Sequence, residues 1–508
     1  MKLRHLLLAS FAACTFASCS DDSSNGIEIP EENYQMIDAN VSLTATALDG
    51  IQTKGATEEG GDAVLESGSN NEQFINELTA YLFYVDNGGN EDAYKFAAMK
   101  TVTSDGTNSV KTIEDIVVKV KATAAGELSD TQLKVIFLAN TKLATPPSNL
   151  GDVKTAELED LVDFSYVHMG GMRYYVPMFS QIVTIGGGSS YKLLAGTTYD
   201  NWVKGSTAPS IIYTNNAAVG AAHRVIEKTS GAEGWTEKSS SYDPASIPDA
   251  DKIPLTRHVA RVQLQAIDCD FKNNYANASF ELKDVYIANA SNTSLIYADA
   301  EPYSLDNAKA YSHGCSYNRD DYFLVNGSKN VASLHCEMDE GVLIAMTGHS
   351  HSSNLNADGS IDYNAKNWFS FNDQTIRGDE QGRKDMPQFY VFEMKGDKDM
   401  PSDPGKSDTP SGYIQTMLIL RGDWYPKGKT EGLGNDVVKK DRYYRIPIKQ
   451  DAASGIIGVQ RNTIYKIYAT ITGEGSKDPD TSELNACISF SIKVEPWTVI
   501  TQTETDVN

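Results

Sequence analysis

Residues 460–473 read QRNTIYKIYATITG, and residues 485–508 read NACISFSIKVEPWTVITQTETDVN. In the first run Tyr465, Ile467, Ala469 and Ile471 recur at every second position. In the second, Ile488, Phe490, Ile492 and Val494 do the same, alternating with Ser489, Ser491, Lys493 and Glu495. Successive side chains of a strand point to opposite faces, so each run reads as a half-buried β-strand of one sheet. Pro496 has no backbone donor, and regular pairing in that sheet is expected to stop there. The chain does not stop. Trp497, Val499 and Ile500 follow, then Thr501, Thr503, Thr505 and Val507, strand formers with no Gly or Pro between them. A β-prone end that runs past its own sheet is a candidate strand for another sheet.

The same period recurs upstream. LTRHVARVQLQAID, residues 255–268, reads as a strand with Ala260, Val262, Leu264 and Ala266 inward and Arg261, Gln263 and Gln265 outward. SFELKDVYIANA, GVLIAM, FYVFEM, YIQTMLILRGDWY and RYYRIPIK are further short strands. LTAYLFYV (78–85) and QLKVIFLANT (132–141) are apolar on both faces, as central strands are. One short helix is expected over 155–164, with Thr155 as cap, Glu157 and Glu159 in the first turn, and Leu158, Leu161 and Val162 at helical spacing. Residues 231–252, rich in Ser, Pro, Asp and Gly, read as a linker, and residues 395–412 as a loop insert. Many short strands and almost no helical period predict an all-β chain with minor helix, two antiparallel β-sandwich domains of transthyretin/immunoglobulin-like type.

The N-terminus carries an export pattern. Lys2 and Arg4 precede an apolar run from Leu6 to Phe16. That run is too short to span a bilayer. Phe16-Ala17-Ser18-Cys19 resembles a bacterial lipobox, which makes Cys19 the lipidated residue; Cys14 follows a similar Phe-Ala-Ala but would leave a very short apolar run. ANVSLTATALDG, residues 39–50, is a strand with Val41, Leu43, Ala45 and Ala47 on one face. Lys54, in the polar run after it, is the only basic residue between Cys19 and Lys95. A protease specific for basic residues therefore has one target there, and a cut between Lys54 and Gly55 would release strand and anchor together. The plainer alternative is a solvated loop lysine.

These segments resemble a family. RNTIYKI.A.I.G with a closing V.PW, R.VARV.L near residue 260, and MGGMRYYVPMF at residues 169–179 are similar to fimbrillins, the FimA/Mfa-type subunits of the type V pili of Bacteroidales. The resemblance implies a lipoprotein precursor, cut by a basic-residue-specific protease after an N-terminal strand whose loss leaves a groove. The family's usual Arg is replaced here by Lys54. The implied layout is a signal peptide at 1–18, a removable propeptide at 19–54, an N-terminal sandwich at 55–250, a C-terminal sandwich at 251–496 and a donor-strand tail at 497–508. Implied partners are identical subunits head-to-tail, fimbrial anchor and tip subunits, the maturation protease, and a host or bacterial surface receptor, with localisation at the cell surface via an outer-membrane lipoprotein precursor.

Other patterns weigh less. A net charge of −24, from 44 basic and 68 acidic residues, excludes nucleic acid as a natural partner. His313 with Cys315, His335 with Cys336, and His349 with His351 match no standard zinc spacing, and no metal or cofactor is expected. Residues 354–362 partly resemble a calcium loop, but Ala365 stands where its bidentate Glu belongs. Arg421-Gly422-Asp423 fits a turn at a strand end. Cys269, Cys315, Cys336 and Cys487 allow one or two bridges or isolated thiols, and no pairing is fixed by spacing. IGGGSS at 185–190 lacks the Lys-Ser/Thr ending of a phosphate loop and reads as a hairpin tip. The expectation is a non-enzymatic fimbrial structural subunit. Two alternatives stay open: a tip or accessory adhesin of the same fibre, and a permanently anchored surface lipoprotein that binds glycan or protein.

Overall fold

The computed structural model describes residues 34–47, 74–86, 89–123, 132–159, 175–186, 212–214, 226–228, 235–237, 253–288, 290, 293–297, 335–371, 387–396, 416–429, 438–448, 457–477 and 488–496. The fold is all-β, as the alternating runs require.

The first body holds β1 (Tyr34–Ala47), β2 (Glu77–Tyr84), β3 (Phe96–Thr103), β4 (Thr112–Thr123) and β5 (Gln132–Ala139). It continues with β6 (Glu157–Glu159), β7 (Met178–Ser180), β8 (Val183–Gly186) and β9 (Ile212–Thr214). β10 (Ile226–Lys228) and β11 (Trp235–Glu237) form a separate ladder, and β12 (Ile253–Arg257) follows. The main sheet runs β3-β2-β5-β7-β12-β1-β4, with β8 on β5 and β9 on β1. Its two ends come together, since Lys100 Nζ on β3 donates to the Glu114 carbonyl on β4 at 2.6 Å. The sheet thus curls around its own core. Leu43 and Ala45, Leu78 and Leu82, Ile113 and Val118, Leu133 and Phe137, and Ile253 and Leu255 all point inward.

The second body holds β13 (Val259–Cys269), β14 (Ser279–Ala288), β15 (Thr293–Leu295), β16 (His335–Ala345), β17 (Phe369–Ser370) and β18 (Gln388–Phe392). β19 (Met394–Gly396), β20 (Met417–Tyr425), β21 (Lys439–Pro447), β22 (Ile457–Val459), β23 (Thr463–Ile471) and β24 (Ile488–Pro496) complete it. Two sheets, β17-β13-β23-β24 and β16-β14-β20-β21, sandwich one core that includes Leu264, Phe280, Leu420, Trp424, Tyr444 and Ile467. The stretch at 460–473 behaves as its period requires: Tyr465, Ile467, Ala469 and Ile471 are buried on the core side. β24 pairs antiparallel with β23 up to Thr463↔Pro496. Three ladders are parallel, β1 with β9, β1 with β12, and β13 with β23, within sheets expected to be antiparallel.

Several expectations are corrected. The strand read at 255–268 is two strands split at His258, and its first part completes the first body by pairing with β1 and β7. Arg261 and Gln263 are buried rather than outward-exposed, because β13 is central and covered on both faces. The expected helix at 155–164 is displaced. The helix α1 is Leu150–Lys154, opened by an Asn149–Asp152 capping box and anchored by buried Leu150 and Val153. Thr155 is its C-cap, and Glu157–Glu159 is strand β6, paired with β15. The linker at 231–252 contains β11. Within the insert at 395–412, Lys395 and Gly396 belong to β19 and the remainder lies outside the described residues, as does the glycine run beyond Gly186.

The two bodies share a third core. Tyr81, Phe83, Leu138 and Phe179 of the first pack with Val259, Tyr390, Phe392 and Ile464 of the second. Arg461 donates to Ser294 Oγ (3.2 Å), to the Leu295 carbonyl (3.3 Å) and to Glu393, and its guanidinium lies 4.9 Å from the Phe179 ring centre. His258 packs on the same ring at 4.8 Å. Burial, with Arg461 nearby, holds its imidazole well below the usual range, so it is neutral.

Arg421-Gly422-Asp423 lies inside β20, not at a turn. Arg421 pairs with Asp441 at 2.9 Å, and buried Asp423 with Lys283 at 2.5 Å, so both side chains are tied to neighbouring strands. A Cβ on Gly422 would sit 2.1 Å from the Glu281 carbonyl and 2.5 Å from the Phe280 ring. Gly422→Ala is therefore expected to lower stability by at least about 1–3 kcal/mol in denaturant unfolding; an unchanged midpoint would contradict this packing.

Candidate functional site

The feature with mechanical consequence is β1, a strand at the far N-terminus that forms a stave of the first body. Along one edge it pairs antiparallel with β4, from Tyr34↔Thr123 to Thr44↔Thr112, with a bulge between Val41 and Leu43. Along the other it pairs parallel with β9 (Asn40↔Ile212 to Ser42↔Thr214) and with β12 (Ala45↔Ile253 to Ala47↔Leu255). Both edges of β1 are thus hydrogen-bonded by other strands.

The side chains explain why it stays there. Leu43 and Ala45 are 0% exposed and Thr44 only 3%. Thr44 Oγ1 meets Thr112 Oγ1 at 3.4 Å, and Ala45 N donates to the Lys111 carbonyl at 2.7 Å. The outer face is polar where β4 presents Lys119, exposed and opposite Asp38 in the ladder. Removing β1 would strip the core of Leu43 and Ala45 and leave unpaired edges on β4, β9 and β12. An unpaired strand edge is a template for another strand.

Of the expected displaced strand, Leu43 and Ala45 are in the core, and Val41 and Ala47 hold register positions opposite Ile116 and Leu255. β1 is 14 residues long and starts at Tyr34, earlier than the alternation suggested. Cys19, Lys54 and Gly55 lie outside the described residues, and so do Trp497, Val499, Ile500, Thr501, Thr503, Thr505 and Val507. The partners of β1, namely β4, β9 and β12, carry no mutual signal in the sequence, since ladder pairing between distant strands leaves none.

The other patterns resolve into local structure. His349 ends a short helical segment, Met346–His349, and His351 opens a 3-10 turn, His351–Asn354, so the two do not share a strand face. His349 Nδ1 lies 3.3 Å from the Asn367 carbonyl, while His351 Nδ1 lies 2.9 Å from Asp268 Oδ2. Asn354 Nδ2 donates to the same oxygen at 2.9 Å, a cluster that sequence reasoning missed because 83 residues separate His351 from Asp268. In the calcium-like stretch, Asp358 accepts from Ser360 N and Oγ at 2.9 and 2.6 Å, which holds its carboxyl below the usual range. Asp362 accepts from Asn364 N. One oxygen of each carboxylate is engaged in the turn itself. Among the described residues no group of three or more His, Cys, Asp or Glu is placed to hold a metal. Cys269 is a buried free thiol and Cys336 lies half-buried in β16; His313, Cys315 and Cys487 lie outside the described residues.

Residues 39–247 match the family described as Major fimbrial subunit protein (FimA). No curated protein matches the chain. Among solved structures, the chain is similar to a putative cell adhesion protein from Parabacteroides distasonis, at 14% identity and TM-score 0.49, covering 91% of this chain and 98% of that one. It is also similar to a fimbrilin from Porphyromonas gingivalis, at 16% identity and TM-score 0.44, covering 91% and 99%. The tip fimbrial protein Mfa3 of the same organism matches at 11% identity and TM-score 0.39, covering 91% and 100%.

Leu43→Ala is expected to cost the uncut chain about 2–5 kcal/mol. Denaturant unfolding reads it; a loss under about 0.5 kcal/mol would mean that β1 does not seal the core.

Proposed function

We propose that this chain, whose residues 39–247 match the major fimbrial subunit family, is a non-enzymatic structural subunit of a type V fimbrium. It is exported as a lipoprotein on Cys19, cut between Lys54 and Gly55, and polymerised by strand exchange at the cell surface. The observation that carries this reading is β1: an N-terminal strand that is integral to the main sheet of the first body yet precedes the one basic residue between Cys19 and Lys95. Cutting at Lys54 would leave β1 held only by non-covalent contacts. Its departure would open a slot of 14 residues.

The tail at 497–508 supplies a candidate replacement. Its residues span roughly 40 Å when extended, at about 3.3 Å each, against about 46 Å for the slot. Head-to-tail insertion does not close on itself, so it builds a filament. The natural partners are then identical subunits, with anchor and tip subunits at the ends, a protease specific for basic residues, and a surface receptor that the fibre reaches. Cutting after Lys54 removes 3 basic and 7 acidic residues, so each subunit keeps 41 basic against 61 acidic residues, a charge of −20 that favours solubility and disfavours nucleic acid.

The uncut, permanently anchored lipoprotein is the second reading, and one observation favours it: the first body is already complete with β1 in place. Both readings are separated by sequencing the N-terminus of subunits from sheared fibres. Gly55 is expected; a blocked, fatty-acid-labelled start at Cys19 would sink the polymer reading. Deleting residues 502–508 is expected to leave a folded, secreted, cleavable monomer that does not elongate. Normal-length fibres from that deletion would refute the donor role.

A further inference from the structure

One residue stands between the two bodies on the strand that joins them. Arg257 pairs with Met178 of β7 in the first body, and Val259 with Phe392 of β18 in the second. His258 lies between them, outside both ladders, and its amide donates to the Pro177 carbonyl at 3.0 Å. The chain passes from one sheet to the other here with no loop to take up movement. Asn462 N donates to the Val259 carbonyl at 2.9 Å, which draws the turn before β23 against the same spot.

The His258 side chain is enclosed. It is 0% exposed, and among the described residues neither Nδ1 nor Nε2 has a hydrogen-bond partner. Its ring lies 4.8 Å from the centre of the Phe179 ring, and the Arg461 guanidinium lies 4.9 Å from the same centre. The charged groups on the described elements packed here are Arg257 on β12, Arg461 before β23 and Glu393 after β18. The titratable phenols of the shared core are Tyr81, Tyr297 and Tyr390. Glu393 pairs with Arg461, and among the described residues no carboxylate pairs with the imidazole.

A neutral imidazole leaves one donor and one acceptor bare in this place. An imidazolium would leave two donors and a whole charge bare, beside a second cation. Burial, and then Arg461, accordingly hold the ring neutral while the joint is closed. Once Phe179 and the turn carrying Arg461 separate, water reaches the ring, and it regains the ordinary proton affinity of imidazole, near about pH 6.5.

We infer that His258 makes the joint between the two bodies acid-labile, closed around a neutral ring at neutral pH and opened in mild acid as the ring takes up a proton. The open form binds a proton that the closed form refuses. Closure is therefore strongest above about pH 6.5 and weakens as the pH falls below that value. The two bodies move as one piece in the first condition and separately in the second, each with its own sheets intact. The inference stands apart from the fimbrial reading, since β7, β12, β18 and the turn before β23 all lie outside the N-terminal arm.

Hydrogen exchange on the full chain tests it. Between about pH 7.5 and about pH 5, one proton refused by the closed form shifts the open-to-closed ratio by about 30-fold. Protection factors, which divide out the chemical pH dependence of exchange, are expected to fall by that factor at the His258 and Asn462 amides. Those of Leu82 in β2 and Ile467 in β23 are expected to hold. His258→Phe keeps a ring against Phe179 and is expected to abolish the fall, whereas His351→Gln, in the second body, leaves it in place. An equal fall in His258→Phe would assign the acid response to another group and overturn the inference. So would a fall shared by Leu82 and Ile467, because the joint would then open only with the whole molecule. Should His258→Phe not fold, imidazole NMR of the unaltered chain decides. A His258 ring that takes up its proton near about pH 6.5 while the two amides stay protected contradicts the inference; a ring that stays neutral until they lose protection upholds it.

Discussion

A backbone amide or carbonyl shut away from water must find a partner, and that constraint governs the first body of this chain. β1 is bonded on one edge to β4 and on the other to β9 and β12. With it in place the sheet curls until β3 and β4 meet, around a core that Leu43 and Ala45 help to fill. Without it, two facing edges and the floor beneath Leu43 and Ala45 would be open together. The gap would ask for one extended strand with an apolar phase and a polar phase, and a helix or loop would not satisfy both edges. The same geometry that stabilises the chain with β1 in place would make a chain without β1 adhesive toward a strand.

The edge of that slot is tied to the rest of the molecule. β12 runs through His258 into β13 without an intervening loop, and β13 pairs with β23, which pairs with β24. β24 leads to the tail. The shared core of Phe179, Val259, Tyr390 and Ile464, and the buried Arg461–Glu393 pair, fix the junction between the two bodies. Replacing one partner of that pair would leave a charge without compensation where solvent cannot reach it. β12 and β24 are thus connected through strands and packed side chains rather than through a linker.

Much of the fold was legible because strand alternation is local. The run at 463–471 shows its core face directly, and β14, β20 and β21 fall where their apolar pattern puts them. What was not legible depends on distant partners. Arg261 and Gln263 look solvent-facing by alternation, yet the strands β18 and β23 on either side of β13 lie in a covered layer. Thr155 looks like a helix cap, but Asn149 with Asp152 makes a better one and the helix ends at Lys154. Arg421-Gly422-Asp423 looks like a turn until Phe280 and Glu281 are seen against Gly422. In the slot, the apolar phase of β1 was readable, whereas its flanking strands, 70 to 200 residues away in round numbers by chain order, were not.

The central claim is that β1 is a removable stave whose place must be refilled. Hydrogen exchange of the β4 and β12 amides that face β1 measures this most directly, in the uncut chain, in the cut subunit freed of its arm, and in the fibre. The account requires slow exchange in the first, fast exchange in the second and slow exchange again in the third. Amides that remain equally protected in all three states would mean that no slot opens, and would contradict it.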